Sequence, residues 1–92
     1  MLVTLEEAKN YLRIDGEEED SLVAGLISTS ENLCKDVIRA DKVEEMEAMG
    51  DSVKQAVLYG MAYLYEHREN ADYHELTMML RYLLFGVRKE GF

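Results

Sequence analysis

Residues 56–69 read AVLYGMAYLYEHRE. The first ten of them, Ala56 to Tyr65, carry no charge and no strongly polar group, and the chain then turns abruptly to Glu66, His67, Arg68 and Glu69. At helical spacing Val53, Ala56, Val57, Gly60, Met61 and Leu64 form one stripe, while Leu58, Tyr59, Ala62, Tyr63 and Tyr65 fill most of the remaining circumference. A helix that is apolar all round is buried all round. Ten residues are only about half of what a membrane-spanning helix requires, so the burial has to come from protein. Either the rest of the chain wraps this helix, or part of its surface is covered by another subunit. Gly60 and Ala62 permit close approach of a neighbouring backbone. The tyrosines offer flat apolar area with a polar tip, a composition common at interfaces and also at the edge of a core.

Working outward, the other elements are helical too. Thr4 followed by Glu7 has the form of a capping box, and Leu5, Ala8 and Leu12 then share a face with Tyr11 beside them. This predicts a short helix over residues 5–13, closed by the Asp15-Gly16 turn. The acids Glu17 to Asp20 sit well at the positive end of a second helix. Leu22, Val23, Leu26, Ile27, Leu33, Cys34, Val37 and Ile38 continue it at three- and four-residue spacing to about residue 39. Its other face, with Ser28, Glu31, Lys35 and Asp36, reads as solvated. Residues 40–50 are a charged connector with room for a helical turn, and Gly50 to Ser52 opens the central helix. After Asn70-Ala71-Asp72, a last helix is expected over residues 73–85. Leu76, Met79, Leu80, Leu83 and Leu84 would be its core stripe, widened by Met78, Tyr82 and Phe85, with Gly86 as its stop. Residues 87–92 read as a flexible tail. The expectation is therefore one all-α domain over residues 1–92, a small bundle of four main helices around a central apolar third.

The bulk numbers agree with one domain. A chain of 92 residues buries roughly two-thirds or less of its unfolded surface, so its own stability is modest and a partner adds to it. The net charge is -9, and it is uneven: residues 1–50 hold 13 acidic and 5 basic side chains (-8), residues 51–92 hold 6 and 5 (-1). Such a surface repels nucleic-acid phosphates rather than binding them. The start of the chain has neither the basic nor the sustained apolar region of a secretory signal, which points to synthesis and retention in the cytoplasm. Cys34, the only cysteine, reads as a small buried hydrophobe.

Catalytic constellations are scarce. His67 and His74 are seven residues apart across a helix break, and no four-residue pair on one face is present. The acidic run 15–20 lacks calcium-loop spacing, and no phosphate-binding glycine loop occurs. No enzyme activity, cofactor or metal is expected. Arg68 is the notable polar residue. One turn after Leu64 and Tyr65, its stem lies along apolar surface while its guanidinium reaches Glu69, Asp72 or an acid of a neighbouring chain.

Taken in order, three stretches resemble the small head-tail connector (adaptor) proteins of tailed bacteriophages and prophages. They are Leu5-Glu6-Glu7-Ala8-Lys9-Asn10-Tyr11-Leu12-Arg13-Ile14-Asp15, the helix opening Asp20-Ser21-Leu22-Val23, and Ala62-Tyr63-Leu64-Tyr65-Glu66-His67-Arg68-Glu69. In that family an apolar helix ends in Tyr-Glu-x-Arg-Glu and is followed by a leucine-rich last helix, as with Leu76 to Leu84 here. The resemblance implies a structural virion protein that assembles during infection in the host bacterial cytoplasm. It would form a ring of about a dozen copies on the portal protein, made by heterologous contacts. The ring would link the portal to the tail-proximal head-completion protein and let DNA pass without specific binding, with no membrane involved. On this reading Tyr59, Tyr63, Tyr65, Arg68, Tyr82, Phe85, Arg88 and Phe92 serve contacts between subunits or with partners, and the tail from Val87 engages the portal. A different class, a small regulatory or chaperone-like module holding a partner's amphipathic helix, fits the apolar surplus as well.

Overall fold

The structure, a computed structural model, describes residues 2–40, 43–46 and 50–85. The elements are α1 (Leu5–Leu12), α2 (Asp20–Ile38), the single turn α3 (Val43–Met46), α4 (Asp51–Glu66) and α5 (Tyr73–Leu83), and no strand occurs among the described residues. The fold is an all-α bundle built on α2 packed against α4, with α1 and α5 laid against that pair.

Local chemistry sets the helix ends. Thr4 and Glu7 form the reciprocal capping box at the start of α1, with the Glu7 N–H donating to Thr4 Oγ1 and the Thr4 N–H to Glu7 Oε1, both at 3.0 Å. Asp72 caps α5 by accepting from the Glu75 N–H at 3.0 Å. The stop of α1 is not the Asp15-Gly16 turn that the glycine suggests. Arg13 takes the left-handed conformation (φ 62°), and the Ile14 N–H closes back on the Lys9 carbonyl at 2.9 Å. Arg39 ends α2 in the same way, with φ 60° and the Ala40 N–H on the Lys35 carbonyl at 3.0 Å. In both motifs the next residue, Ile14 or Ala40, turns inward, and its burial offsets the cost of a left-handed non-glycine residue.

The wrapping of α4 is done mostly within the chain. Val53, Ala56, Val57, Leu58, Gly60, Met61 and Leu64 are buried, and Tyr59, Ala62, Tyr63 and Tyr65 are half-buried. Close packing against α2 depends on Gly60: a Cβ there would meet Ser30 Oγ at 2.3 Å. The buried Ser30 hydroxyl donates to the Val57 carbonyl at 2.8 Å, so the helix pair carries its own polar contact.

Two sequence expectations fail on the helix faces. Glu31 is not on a solvated face. It is buried, and its Oε2 accepts the Leu2 N–H at 2.7 Å, which ties the segment before α1, with the fully buried Val3, onto α2. The core stripe of α5 is narrower than the run of leucines and methionines implies. Leu76, Leu80 and Leu84 are buried, whereas Met79 and Leu83 are exposed, because a single helix laid on two others can turn only one side inward. The helix also stops at Leu83, short of the expected Phe85, with Leu84 as its C-cap.

Candidate functional site: a clasp and an outward helix face

Two features stand apart from ordinary core packing. The first joins the end of α4 to the start of α2. The Tyr65 hydroxyl donates to Glu19 Oε1 at 2.6 Å, Arg68 Nη1 donates to Glu19 Oε2 at 3.2 Å, and the guanidinium carbon lies 4.8 Å from the centre of the Tyr65 ring. Arg68 therefore pairs with Glu19, not with Glu69 or Asp72. The tyrosine hydroxyl already anchors that carboxylate, and one carboxylate serves both donors without a second side chain being ordered. The Tyr65 hydrogen bond first, and Arg68 after it, hold the Glu19 carboxyl below its ordinary value, while the same bond raises the Tyr65 phenol. Next to this clasp the Asp72 N–H donates to the Tyr63 hydroxyl at 3.1 Å, and the His67 ring stacks on Tyr63 with centroids 4.2 Å apart. These contacts fix the loop from α4 to α5 and hence the direction of α5.

The second feature is the outer side of α5. Tyr82 is 78% exposed and Phe85 76%, and Met78, Met79 and Leu83 are exposed with them. Met78 and Tyr82 share one helix face, opposite the buried Leu76 and Leu80, and the exposed Phe85 follows just past the helix end. Toward α1 the stripe runs by Leu83 into a shallow groove also lined by Tyr11 and the half-buried Tyr59. At the other end of α5 a second groove of about 210 Å³ is lined by Leu22, Leu26, Leu64, Ala71 and Tyr73 together with His67 and Arg68.

Of the residues singled out by sequence, Tyr63, Tyr65 and Arg68 gather at the clasp and its loop, Tyr59 lies in the groove by α1, and Tyr82 and Phe85 lie on the outward stripe. Arg88 and Phe92, with the expected stop at Gly86 and the tail 87–92, fall outside the described residues. Sequence reading missed Glu19 as the clasp acceptor, since it lies 49 residues from Arg68 in a run of similar acids. Among the described residues no three His, Cys, Asp or Glu side chains are grouped so as to hold a metal ion, and no helix is long and apolar enough to cross a membrane.

The described residues form a small all-α subunit whose polar contacts join its own helices and which leaves apolar and aromatic side chains exposed along α5 and just past its end. The chain matches the Phage gp6-like head-tail connector protein family over residues 2–90, and it belongs to that family. It is accordingly a structural connector component of a bacteriophage, one that meets other virion proteins. No curated protein and no solved structure matches the chain.

Proposed function

We propose that this protein is the repeating subunit of a ring, about a dozen copies strong, seated on the portal of the capsid and joined by contacts between two different faces of each copy. The ring links the portal to the tail-proximal head-completion protein and forms part of the wall of the DNA channel. The observation that carries this reading is the outward stripe of α5, which adds to membership of the connector family an apolar surface that the described residues leave uncovered. Isolated large apolar side chains on a surface need no explanation, but several on one helix face mark an interaction site. Tyr82 and Phe85 make the contact with a neighbour. Tyr59, Tyr63, Tyr65 and Arg68 support it by holding α5 in place, and the segment from Val87, with Arg88 and Phe92, engages the portal. The acidic first half of the chain keeps DNA phosphates from adhering as they pass. Assembly takes place in the host cytoplasm and the product is a virion component.

The test is electron microscopy of the purified protein mixed with its portal, alongside phage carrying single substitutions. Rings at the portal vertex are expected with the wild-type protein. Tyr63→Ala and Arg68→Ala are expected to lower the yield of joined heads and tails. Wild-type yields from both variants would remove those residues from the interface, and the absence of any ring with portal present would remove the reading itself.

A further inference from the structure

We infer that the outward stripe of α5 docks into the Leu22/Leu26/Tyr73 groove of a second copy of this chain, with Arg81 of the stripe meeting Glu17 and Glu18 beside the groove. This deepens the ring reading and rests on it. Three observations point to a second copy as the occupant. First, both surfaces are apolar and sit on the same subunit at opposite ends of α5. Tyr73 opens the helix, and Tyr82 lies nine residues on, roughly 14 Å along the axis at helical rise. A stripe at one end and a receptor groove at the other form a head-to-tail pair, the kind of contact that propagates and closes into rings.

Second, the charges beside the two surfaces are complementary. Arg81 lies three residues after Met78, which places the two side by side on the helix surface. It is exposed and has no ion-pair partner among the described residues. Glu17 and Glu18 are likewise exposed and without an ion-pair partner there. They lead directly into Glu19, whose carboxylate is held by Arg68, one of the residues lining the groove. Third, the anchors have the right form. Met78 and Tyr82 stand at the i and i+4 positions by which a helix enters an apolar groove, and Phe85 follows just past the helix end as a third exposed apolar side chain. In this arrangement the clasp has a second use: by fixing Arg68 on Glu19 it keeps the groove in one shape before the neighbour arrives.

Cysteine cross-linking tests the pairing directly. Ser21, next to the groove residue Leu22, and Met79, next to the stripe residue Met78, are both exposed, so Ser21→Cys and Met79→Cys leave the core, the anchors and the groove lining intact, and circular dichroism checks the fold. Each single variant and the double variant are assembled with portal, imaged, treated with a short bifunctional maleimide and run on denaturing gels. Expected are a ladder of trimers, tetramers and larger species from the double variant, dimers from an equimolar mix of the two single variants, and monomer from each single variant alone. Arg81→Glu in the double variant should reduce the ladder severalfold, with recovery when Glu17→Arg and Glu18→Arg are added. Dimers from Met79→Cys alone would mean that α5 pairs with itself across a two-fold axis and would overturn the inference. So would a double variant that stops at doubly linked dimers, or a Met79→Cys that links only to portal. Intact rings in micrographs without any ladder would overturn this pairing and leave the ring reading standing, whereas absence of rings would sink both.

Discussion

Glu19 shows how one carboxylate organises its surroundings through ionisation alone. Its pKa is depressed by the Tyr65 hydroxyl and then by Arg68, and a depressed acid contributes stability that is complete above its unfolded value and lost as pH falls through the folded one. Tyr65 has the opposite sign. Its pKa is raised by Glu19, so its contribution is complete below the unfolded phenol value and lost as pH rises through the folded one. Thermal melts of Tyr65→Phe should therefore fall below wild type most clearly near neutral pH, with the gap narrowing below the carboxylate range and again above the phenol range. A gap independent of pH would show that the ring's packing, not the hydrogen bond, is what the hydroxyl supports. Cys34 gives a second check at this scale. Burial pushes its thiol up to about 12, so the native protein at pH 8 should resist alkylation that goes to completion in denaturant. The burial of Cys34 was legible from its place between Leu33 and Val37 in a periodic run. The burial of Glu31 was not, because charge at a helix position reads as exposure unless the partner is known, and its partner is a backbone N–H at Leu2.

Among the elements, the contact of α2 with α4 is set by a pair that neither residue announces alone. Gly60 is a poor helix former, and its replacement by alanine in an open helix gains roughly 1 kcal/mol. Here the new Cβ would stand 2.3 Å from Ser30 Oγ, so the helices must part or the serine must turn from the Val57 carbonyl. Gly60→Ala is expected to destabilise by about 1–3 kcal/mol, the usual cost of overfilling a packed core. In a Ser30→Ala background the hydroxyl is gone, and the same change should cost far less. Denaturant unfolding of the four proteins of this cycle measures the coupling, and simple additivity would disprove the clash. Helix existence and order were readable because 3.6-residue periodicity and caps are local signals. The stops at Arg13 and Arg39 were not, since a left-handed arginine depends on what the following residue finds to bury against. Nor was the division of α5 into an inner and an outer apolar face, because periodicity reports that both sides are greasy and not which one the bundle covers.

At the scale of the molecule, two demands divide the apolar residues between them. Folding takes the side of α5 that holds Leu76, Leu80 and Leu84, and α4 is consumed almost wholly by the core, so the tyrosine-rich stretch that first suggests an interface serves mainly to build the subunit. The large apolar side chains left exposed near the C-terminal end lie one helix further along, on and just past α5. This separation makes folding and assembly independently breakable. Tyr82→Ala and Phe85→Ser remove side chains that touch solvent over most of their area, and changes at such exposed positions usually alter folding stability by within about 0.5 kcal/mol. Both variants should melt with wild type as isolated subunits and yet fail to form rings or join heads to tails, since a buried aromatic anchor at an interface is commonly worth 2 kcal/mol or more of binding. In a closed ring each copy presents its stripe once, so the loss recurs at every junction and multiplies around the circle. Sedimentation and melting curves on the same samples separate the two properties. A variant that melts early would place these side chains in the fold, and one that assembles normally would strip the outer face of α5 of its role.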